Sequence, residues 1–269
     1  MEALIKTGIH CWFGYQINNK ERFELIKQAG FDNVFLWWGD EFTDNDVNKN
    51  ELPEMARSFS LEVENVHAPI DKINSIWTDS INSEEVVKRY TNCILDCAQH
   101  NIPTVVIHLT SGDTPPIASE IGLNRLKYLV ELAERKSINI ALENLRKPEY
   151  LQFVFSNIQS DRLGFCYDSG HENCYSQGMD LLGAYGDKLM ALHLHDNDGQ
   201  DDQHRIPGEG TINWDTIARK IQSTNYNGPM SLEVTNEFSK RYSNILAQGF
   251  LKAAHDSITN LFSFKTYYK

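Results

Sequence analysis

Nine histidine, aspartate and glutamate side chains fall at or just beyond the ends of short apolar runs in the chain. They are His67, His108, Glu143, Asp168, His171, His193, Asp202, His204 and Glu233. Imidazole nitrogens and carboxylate oxygens are ligands for Zn, Mn, Fe and Co. If the runs are parallel strands of a barrel, their carboxyl ends meet at one mouth. The spacing therefore predicts a site for divalent metal, with one to three ions.

Taken singly, each of these residues is more typical of a hydrogen-bonded structural group or a helix cap than of a metal ligand. Taken together they favour a metal site, because burying many ionisable groups in one mouth without compensation costs several kcal/mol per charge. Divalent cations neutralise the carboxylates and take up the imidazole lone pairs. The ligand types do not choose among Zn, Mn, Fe and Co.

Eight short runs rich in β-branched residues predict the strands that position these side chains. The runs cover residues 5–9, 33–37, 61–66, 104–108, 138–142, 163–167, 190–195 and 229–234. Most are separated by segments with apolar residues at helical spacing, which is typical of parallel βα units. Eight such units predict an α/β fold, a (β/α)8 TIM barrel, in a single domain over residues 1–269. One long polar loop, residues 196–210, directly follows the seventh run.

Capping signals and apolar spacing predict the helices between the strands. Ser83, followed by two glutamates, is typical of a helix start. Apolar residues at helical spacing follow over positions 86–97, and the pattern repeats over positions 123–133. The same spacing is fainter over positions 217–226 before the last strand.

The composition, 41% hydrophobic and 23% charged residues, is that of a globular protein with no apolar span of about 20 residues. Residues 1–10 lack the pattern of a secretory signal, so we expect a cytoplasmic protein with no membrane partner. The five cysteines are odd in number and are expected to be packed thiols. A net charge of −12 disfavours a broad surface for nucleic acid. A homo-oligomer is compatible with the sequence, although no apolar interface stripe stands out.

Five motifs together resemble those of a known superfamily. They are residues 67–69 (His-Ala-Pro), 142–144 (Leu-Glu-Asn), 168–171 (Asp-Ser-Gly-His), 193–196 (His-Leu-His-Asp) and 202–210 (Asp-Gln-His leading into Pro-Gly-Glu-Gly). The chain resembles the xylose isomerase-like barrels, which include sugar phosphate isomerases and epimerases and the endonuclease IV family of DNA repair enzymes. The resemblance covers nearly the whole chain, from the first strand to the last helix.

This resemblance implies two sets of metal ligands. The metal site shared by the sugar-acting members is matched by Glu143, Asp168, His193 and Glu233. The extra ligands that complete a trinuclear zinc cluster in endonuclease IV members are matched by His67, His108, His171, Asp202 and His204. His193 and His195 are two residues apart on a strand and face the same side, so spacing alone cannot choose between them. The motif favours His193 as the ligand.

The interpretation that we favour is a sugar or sugar phosphate isomerase or epimerase. The metal would polarise the substrate carbonyl and stabilise the enediolate that forms when the neighbouring carbon loses a proton. In the sugar-acting relatives, the residues that match Glu143 and Glu233 work on opposite faces of the substrate, one removing the proton and the other returning it. Glu149 matches a substrate-binding glutamate of the ketose 3-epimerase branch.

Further residues are candidates for contacts with that small-molecule substrate. His171 would bind a hydroxyl group, His195 is either a substrate contact or a packed histidine, and Arg205 is a candidate for an anion or hydroxyl contact. Aromatic side chains after the first two strands would wall the pocket, although core packing is their more frequent use. These are Trp12, Phe13, Trp37 and Trp38.

The alternative is an endonuclease IV-like zinc phosphodiesterase that acts on abasic-site DNA, with nucleic acid as its partner. The full ligand set favours it. Against it, Ile70 stands where that family places an aromatic that probes the DNA, and residues 109–112 depart from the family pattern. Residues 196–202 are strongly acidic, which opposes contact with phosphates. A third possibility, a barrel without catalysis, requires all these polar residues to lack a common target.

Overall fold

Eight parallel strands form the centre of the computed structural model, which describes residues 5–39 and 47–263. The strands are β1 Thr7–His10, β2 Asn33–Trp37, β3 Glu62–His67, β4 Thr104–Ile107, β5 Asn139–Glu143, β6 Leu163–Asp168, β7 Leu189–His193 and β8 Met230–Leu232. Strands β1 to β7 are neighbours in chain order, and β8 pairs with β1. Leu194 bridges β7 to β8, since its N–H donates to Ser231 O at 2.9 Å. The predicted (β/α)8 barrel is therefore confirmed.

Helices connect the strands. Within the described ranges the α-helices are α1 Asn19–Ala29, α2 Leu52–Ser58, α3 Ile81–Gln99, α4 Glu120–Lys136, α5 Glu149–Asn157, α6 Ser169–Tyr175, α7 Leu181–Tyr185, α8 Trp214–Ser223 and α9 Ala247–Ser263. Short 3-10 turns cover Lys49–Glu51, Ile73–Trp77, Gly186–Lys188 and Lys240–Tyr242. The apolar faces predicted over positions 86–97 and 123–133 are the buried faces of α3 and α4.

Helix α3 begins earlier than the sequence predicted. Its N-cap is Ser80, whose side chain accepts a hydrogen bond from the N–H of Asn82. Ser83 lies in the first turn, where it is buried and its hydroxyl donates to Ser80 O. The predicted start at Ser83 is wrong because Ser80, which has the same capping chemistry, precedes it.

Several strands extend beyond their apolar runs into the polar residues that follow. The backbone pairs Trp37 with His67, Glu143 with Cys166, and Asp168 with His193. Hydrophobicity marks where a strand is buried in the core, whereas backbone pairing continues past that point. As a result, the polar side chains are held by regular strand structure.

Small side chains from four neighbouring strands fill the barrel interior beneath the mouth. This lower layer consists of Val106, Ala141, Cys166 and Ala191. Side chains two residues apart on a strand face the same side. The residues two positions later, which we call the upper layer, are His108, Glu143, Asp168 and His193.

Residues 1–4, part of the N-terminal stretch in which we expected no secretory signal, lie outside the described ranges. Within those ranges, no helix has both the length and the apolar character that a membrane crossing requires. The cysteines are unbonded, and all but the partly buried Cys174 are buried, as expected for packed thiols.

Candidate metal centre

Four residues predicted to share one metal lie together at the carboxyl ends of the strands. One ligand atom from each of Glu143, Asp168, His193 and Glu233 lies within 4.8 Å of the other three. His193 Nδ1 is 3.2 Å from Glu233 Oε2 and 3.6 Å from Glu143 Oε1. Asp168 and His193 are fully buried. This spacing suits ligands of a common cation.

A second group shares Glu143 with the first. His67 Nε2, His108 Nε2 and Glu143 Oε2 form a triangle with sides of 3.1 to 3.2 Å. His67 Nδ1 is 2.9 Å from Ala68 O, and because a carbonyl oxygen only accepts, that nitrogen carries the proton. His67 Nε2 therefore remains the nitrogen that can offer a lone pair to a metal ion, and it faces the other two ligands. Tetrahedral zinc with bonds of 2.0 to 2.1 Å has ligand edges of roughly 3.3 Å, close to this triangle.

A third group surrounds Asp202 in the loop after β7. His171 Nε2 and His204 Nε2 lie 3.1 and 3.4 Å from Asp202 Oδ2. Their Nδ1 atoms donate to the backbone oxygens of Asn144 and Glu233, which fixes the orientation of both rings. His204 has a φ of 45°, in the left-handed region that non-glycine residues rarely adopt. The loop therefore holds His204 in a strained conformation that directs its ring toward Asp202.

His193 and His195, which spacing could not separate, occupy different groups. His193 faces the carboxylates of the first group, whereas His195 Nε2 is 3.1 Å from Asp168 Oδ1 and 3.5 Å from Asp202 Oδ1. The ring of His195 packs on Gly170, where a Cβ atom would approach it to 1.9 Å. Glycine is required there, and His195 is held between the first and third groups.

Several carboxylates and imidazoles of these groups stabilise one another in charged forms, whereas burial lowers the pKa of His108. Burial alone would raise the pKa of Glu143, but His108 and His193 hold it well below its usual value. Burial likewise opposes ionisation of Glu233, and His193 and His204 lower its pKa well below normal. Burial would lower the pKa of His204, but Asp202 raises it to about 9. Protons on the imidazoles thus balance buried negative charge that a bound cation would also balance.

Unpartnered atoms test whether the groups fit a metal. Among the described residues, both ring nitrogens of His193, Nδ1 of His195 and Oδ1 of Asp202 are buried without a hydrogen-bond partner. Buried polar atoms are almost always satisfied, so such a concentration needs an explanation. Divalent cations satisfy lone pairs of both kinds. The residues present therefore fit metal ions, and the three adjoining groups fit up to three.

A cavity of about 530 Å³ opens above these candidate metal ligands. Asp202, His204 and Glu233 lie at its inner end. Trp12 and Trp37, predicted to wall the pocket, line it, whereas Phe13 and Trp38 are buried at 0% and 1% exposure. Two of the predicted aromatics therefore face the cavity and two do not.

Sequence reasoning missed His10, which lies at the end of β1 and lines this cavity. Its Nδ1 is 3.9 Å from Glu233 Oε1, and its ring stacks on Phe35, which in turn stacks on His193. Burial lowers the pKa of His10 to about 3, so the ring is neutral. The first predicted strand ended at residue 9, and the strand-end rule applied one residue later identifies His10.

Of the five predicted substrate contacts, Trp12 lines the cavity, and His171 and His195 are buried among the candidate metal ligands and do not line it. The other two lie elsewhere. Glu149 is exposed at the start of α5. Arg205 directs its guanidinium toward Asp198 Oδ2 at 3.7 Å and the backbone oxygen of Glu209 at 3.4 Å. Neither side chain is among the residues that line the cavity.

Two uncharacterised relatives match the sequence of this chain over different lengths. An uncharacterised protein of Methanocaldococcus jannaschii is 31% identical over 209 residues, which are 70% of each chain. An uncharacterised protein of Sinorhizobium fredii is 40% identical over 105 residues, 36% of this chain. The match spans about a third, 34%, of that second relative.

Solved structures share the fold. A D-tagatose 3-epimerase-like protein superposes with a TM-score of 0.75 at 24% identity, covering 98% of this chain and all of that one. The IolI protein with a bound zinc atom superposes with a TM-score of 0.79 at 19% identity, covering 96% and 98% of the two chains. Residues 23–252 match the family model described as the xylose isomerase-like TIM barrel. The chain therefore belongs to the xylose isomerase-like TIM barrel family.

Proposed function

We propose that this protein is a metal-dependent sugar isomerase or epimerase that works by proton transfer next to a carbonyl group. The observation that carries the proposal is the placement of two carboxylates from different strands, Glu143 and Glu233, against the same His193 ring, with Glu233 lining a cavity. Epimerisation and isomerisation both need one group to remove a proton from carbon and one to return it. The epimerase-like neighbour with the same fold adds support.

The first group, Glu143, Asp168, His193 and Glu233, would hold the ion on which turnover depends. When bound, a divalent cation supplies positive charge that polarises a carbonyl and stabilises the enediolate left by proton loss. Zn, Mn, Fe and Co all suit this mixture of nitrogen and oxygen ligands.

The two glutamates differ in their access to substrate. The side chain of Glu233 is 14% exposed and lines the cavity, whereas that of Glu143 is 1% exposed and is enclosed by His67 and His108. Neighbouring imidazoles keep both ionised, so either can accept a proton from carbon. We assign the pair to opposite steps, one removing the proton and the other delivering it. Trp12 and Trp37 form the wall against which the sugar lies.

The direct test is solvent exchange. Protein loaded separately with Zn, Mn, Fe and Co is incubated in D₂O with a panel of ketoses and their phosphates, and NMR follows deuterium entering at the carbon next to the carbonyl. We expect incorporation together with an epimer or an aldose product. Absence of exchange with every sugar and every metal would refute the proposal.

A second candidate, a phosphodiesterase acting on abasic-site DNA, is favoured by one observation. The groups around His67 and Asp202 adjoin the first group, so the site fits three ions, as a phosphodiester mechanism with several metals needs. Against it, no Lys or Arg is among the residues that line the cavity. Cleavage of an abasic duplex without sugar turnover would establish this candidate. Asp202→Asn combined with His204→Ala would then abolish cleavage, but would only weaken turnover of a sugar.

A further inference from the structure

The cavity at the barrel mouth extends beyond the metal centre. Its volume of about 530 Å³ lies within the range of about 300–1,000 Å³ that is usual for pockets holding drug-sized ligands. A single monosaccharide is smaller than such ligands. The outer half of the cavity, which we call the outer subsite, is lined by Trp12, Trp37, Ile70 and Phe238.

The outer subsite is apolar and joined to the metal ligands. Phe238 is 54% exposed, although a large aromatic side chain of this kind is usually buried. The ring of Trp37 stacks on His67 with centroids 5.2 Å apart, so the apolar wall begins at the metal centre itself. Exposed apolar surface that borders a polar site is typical of a ligand-binding groove.

Among the described residues, no lysine or arginine lines the outer subsite. The residues lining the cavity include no Lys or Arg but do include Glu237 at the rim. Arg22, whose guanidinium lies 5.0 Å from the Trp12 ring centroid, donates to the carbonyls of Ile17 and other loop residues.

A phosphate group on the far end of a sugar would therefore find no charged partner here. Phosphate recognition depends on Arg, Lys or clustered backbone N–H donors. A dianion in the outer subsite would instead face the carboxylate of Glu237, whereas Asp202 and His204 lie at the inner end of the cavity. An apolar substituent gains contact with four apolar side chains without that cost.

We propose that the outer subsite binds an apolar, non-anionic substituent, so that the preferred substrate is an unphosphorylated sugar that carries such a group. This inference rests on the proposed sugar isomerase or epimerase function and names its substrate class. According to this inference, sugar phosphates are not the preferred substrates, and free ketoses bind more weakly than ketoses that carry an apolar substituent.

Three sugars that differ only at one oxygen test the inference. D-fructose, D-fructose 6-phosphate and 6-O-benzyl-D-fructose are titrated into metal-loaded protein, and calorimetry measures each Kd without reliance on turnover. We expect the benzyl derivative to bind about tenfold more tightly than D-fructose, because its ring packs on aromatic side chains. The phosphate is expected to bind more weakly than D-fructose.

Two variants connect the preference to the outer subsite. Phe238→Ala should reduce the ratio of the D-fructose Kd to the benzyl-derivative Kd toward one. Tyr128→Ala, which removes another half-exposed aromatic on the outside of α4, is the matched control and should keep the wild-type ratio. Glu237→Lys should tighten binding of the 6-phosphate by about threefold.

The outcomes separate this inference from the proposed function. Tighter binding of the phosphate than of D-fructose, or a benzyl preference that survives in Phe238→Ala, would overturn the inference alone. A benzyl preference that depends on Phe238, in a protein that exchanges no sugar proton, would support the subsite while refuting the proposed reaction. Failure of all three sugars to bind would overturn the inference, and the exchange panel would then decide the proposed function separately.

Discussion

Two layers of the barrel interior differ sharply although the same four strands supply them. In the lower layer, side chains such as Ala141 and Ala191 are small and pack against one another. In the upper layer, about 7 Å further along the strands, Glu143 and His193 meet with unpartnered nitrogens and opposed charges. The side chains of the lower layer find their packing partners within the protein, whereas polar atoms of the upper layer lack hydrogen-bond partners.

This difference separates residues that serve stability from those that serve function. In barrels of this kind, the packed interior stabilises the fold, and chemistry takes place at the carboxyl ends of the strands. The lower layer should therefore control unfolding, whereas the upper layer should control metal binding and turnover. Each prediction below tests one side of that division.

The largest effect is expected from Glu143→Gln in the upper layer. The change removes a charge shared by two of the candidate metal groups and a proposed proton-transfer group, while it keeps the side-chain volume. We expect turnover to fall by about 10²- to 10⁴-fold or more. Deuterium exchange measures the loss, and circular dichroism checks that the fold is kept.

The matched control is Glu131→Gln, the same chemical change at an exposed position of α4. It should leave both exchange and fold unchanged. Turnover at the wild-type rate in Glu143→Gln would remove this residue from the mechanism and with it the functional meaning of the upper layer.

Metal removal should produce the next largest effect. An ion that binds only the folded state, at about 100 times its Kd, stabilises it by about 2.7 kcal/mol. For a chain of this size, that corresponds to a rise in Tm of roughly 5–10 °C. Calorimetric scans with chelator and with each metal measure the shift, and elemental analysis gives the stoichiometry. Equal shifts in wild type and Glu143→Gln would show that the ion binds elsewhere.

Ala191→Val tests the lower layer. Ala191 is 1% exposed between neighbouring strands, so added methyl groups have no free space. Overpacking of this kind costs about 1–3 kcal/mol of unfolding free energy, which urea denaturation measures. Metal stoichiometry should stay at the wild-type value. Loss of metal without loss of stability would contradict the separation of the two layers.

The fold and most of the site were accessible to sequence reasoning because both follow from short-range periodicity. Apolar runs identified every strand, and their ends placed Glu143 and Asp168 at the mouth of the barrel. The nine predicted ligands all fall within the three contiguous groups around Glu143, Asp168 and Asp202. Their roles in catalysis remain a prediction.

The side-chain positions that the sequence did not reveal lie in loops, and they depend on the path that each loop takes in the folded chain. Arg205 follows two proposed ligands closely, yet its backbone pairs with Asp196 and its side chain reaches Asp198. Phe238 belongs to a segment without a strand or helix signal, and only the folded chain brings it to the cavity. Spacing along a strand predicts direction, whereas spacing along a loop does not.

The smallest expected effect concerns Glu64, an exception to the division between the layers. Glu64, at the β2–β3 bulge, is a polar residue low in the barrel, with Oε1 at 2.5 Å from Ser231 Oγ and with Tyr226 and His193 as its titratable neighbours. Burial raises the pKa of Glu64 from 4.5 to about 8. This carboxyl ionises at a lower pH in the unfolded chain than in the folded protein. Its contribution to stability is therefore full below pH 4.5 and is lost as the pH rises to about 8.

Glu64→Gln should flatten that part of the pH profile. The full shift in pKa sets an upper limit of about 5 kcal/mol. Because part of the Glu64 side chain is accessible to solvent, we expect wild type to lose only about 1 kcal/mol more than the variant across the window. Urea denaturation of both proteins in chelator gives the two profiles, since metal-free conditions remove the pH dependence of ion binding. The upper-layer groups titrate in both proteins, so their contributions to the free energy of unfolding cancel when one pH profile is subtracted from the other. Parallel profiles would mean that Glu64 is as well solvated as a surface carboxylate, and that the lower layer admits water beneath the metal centre.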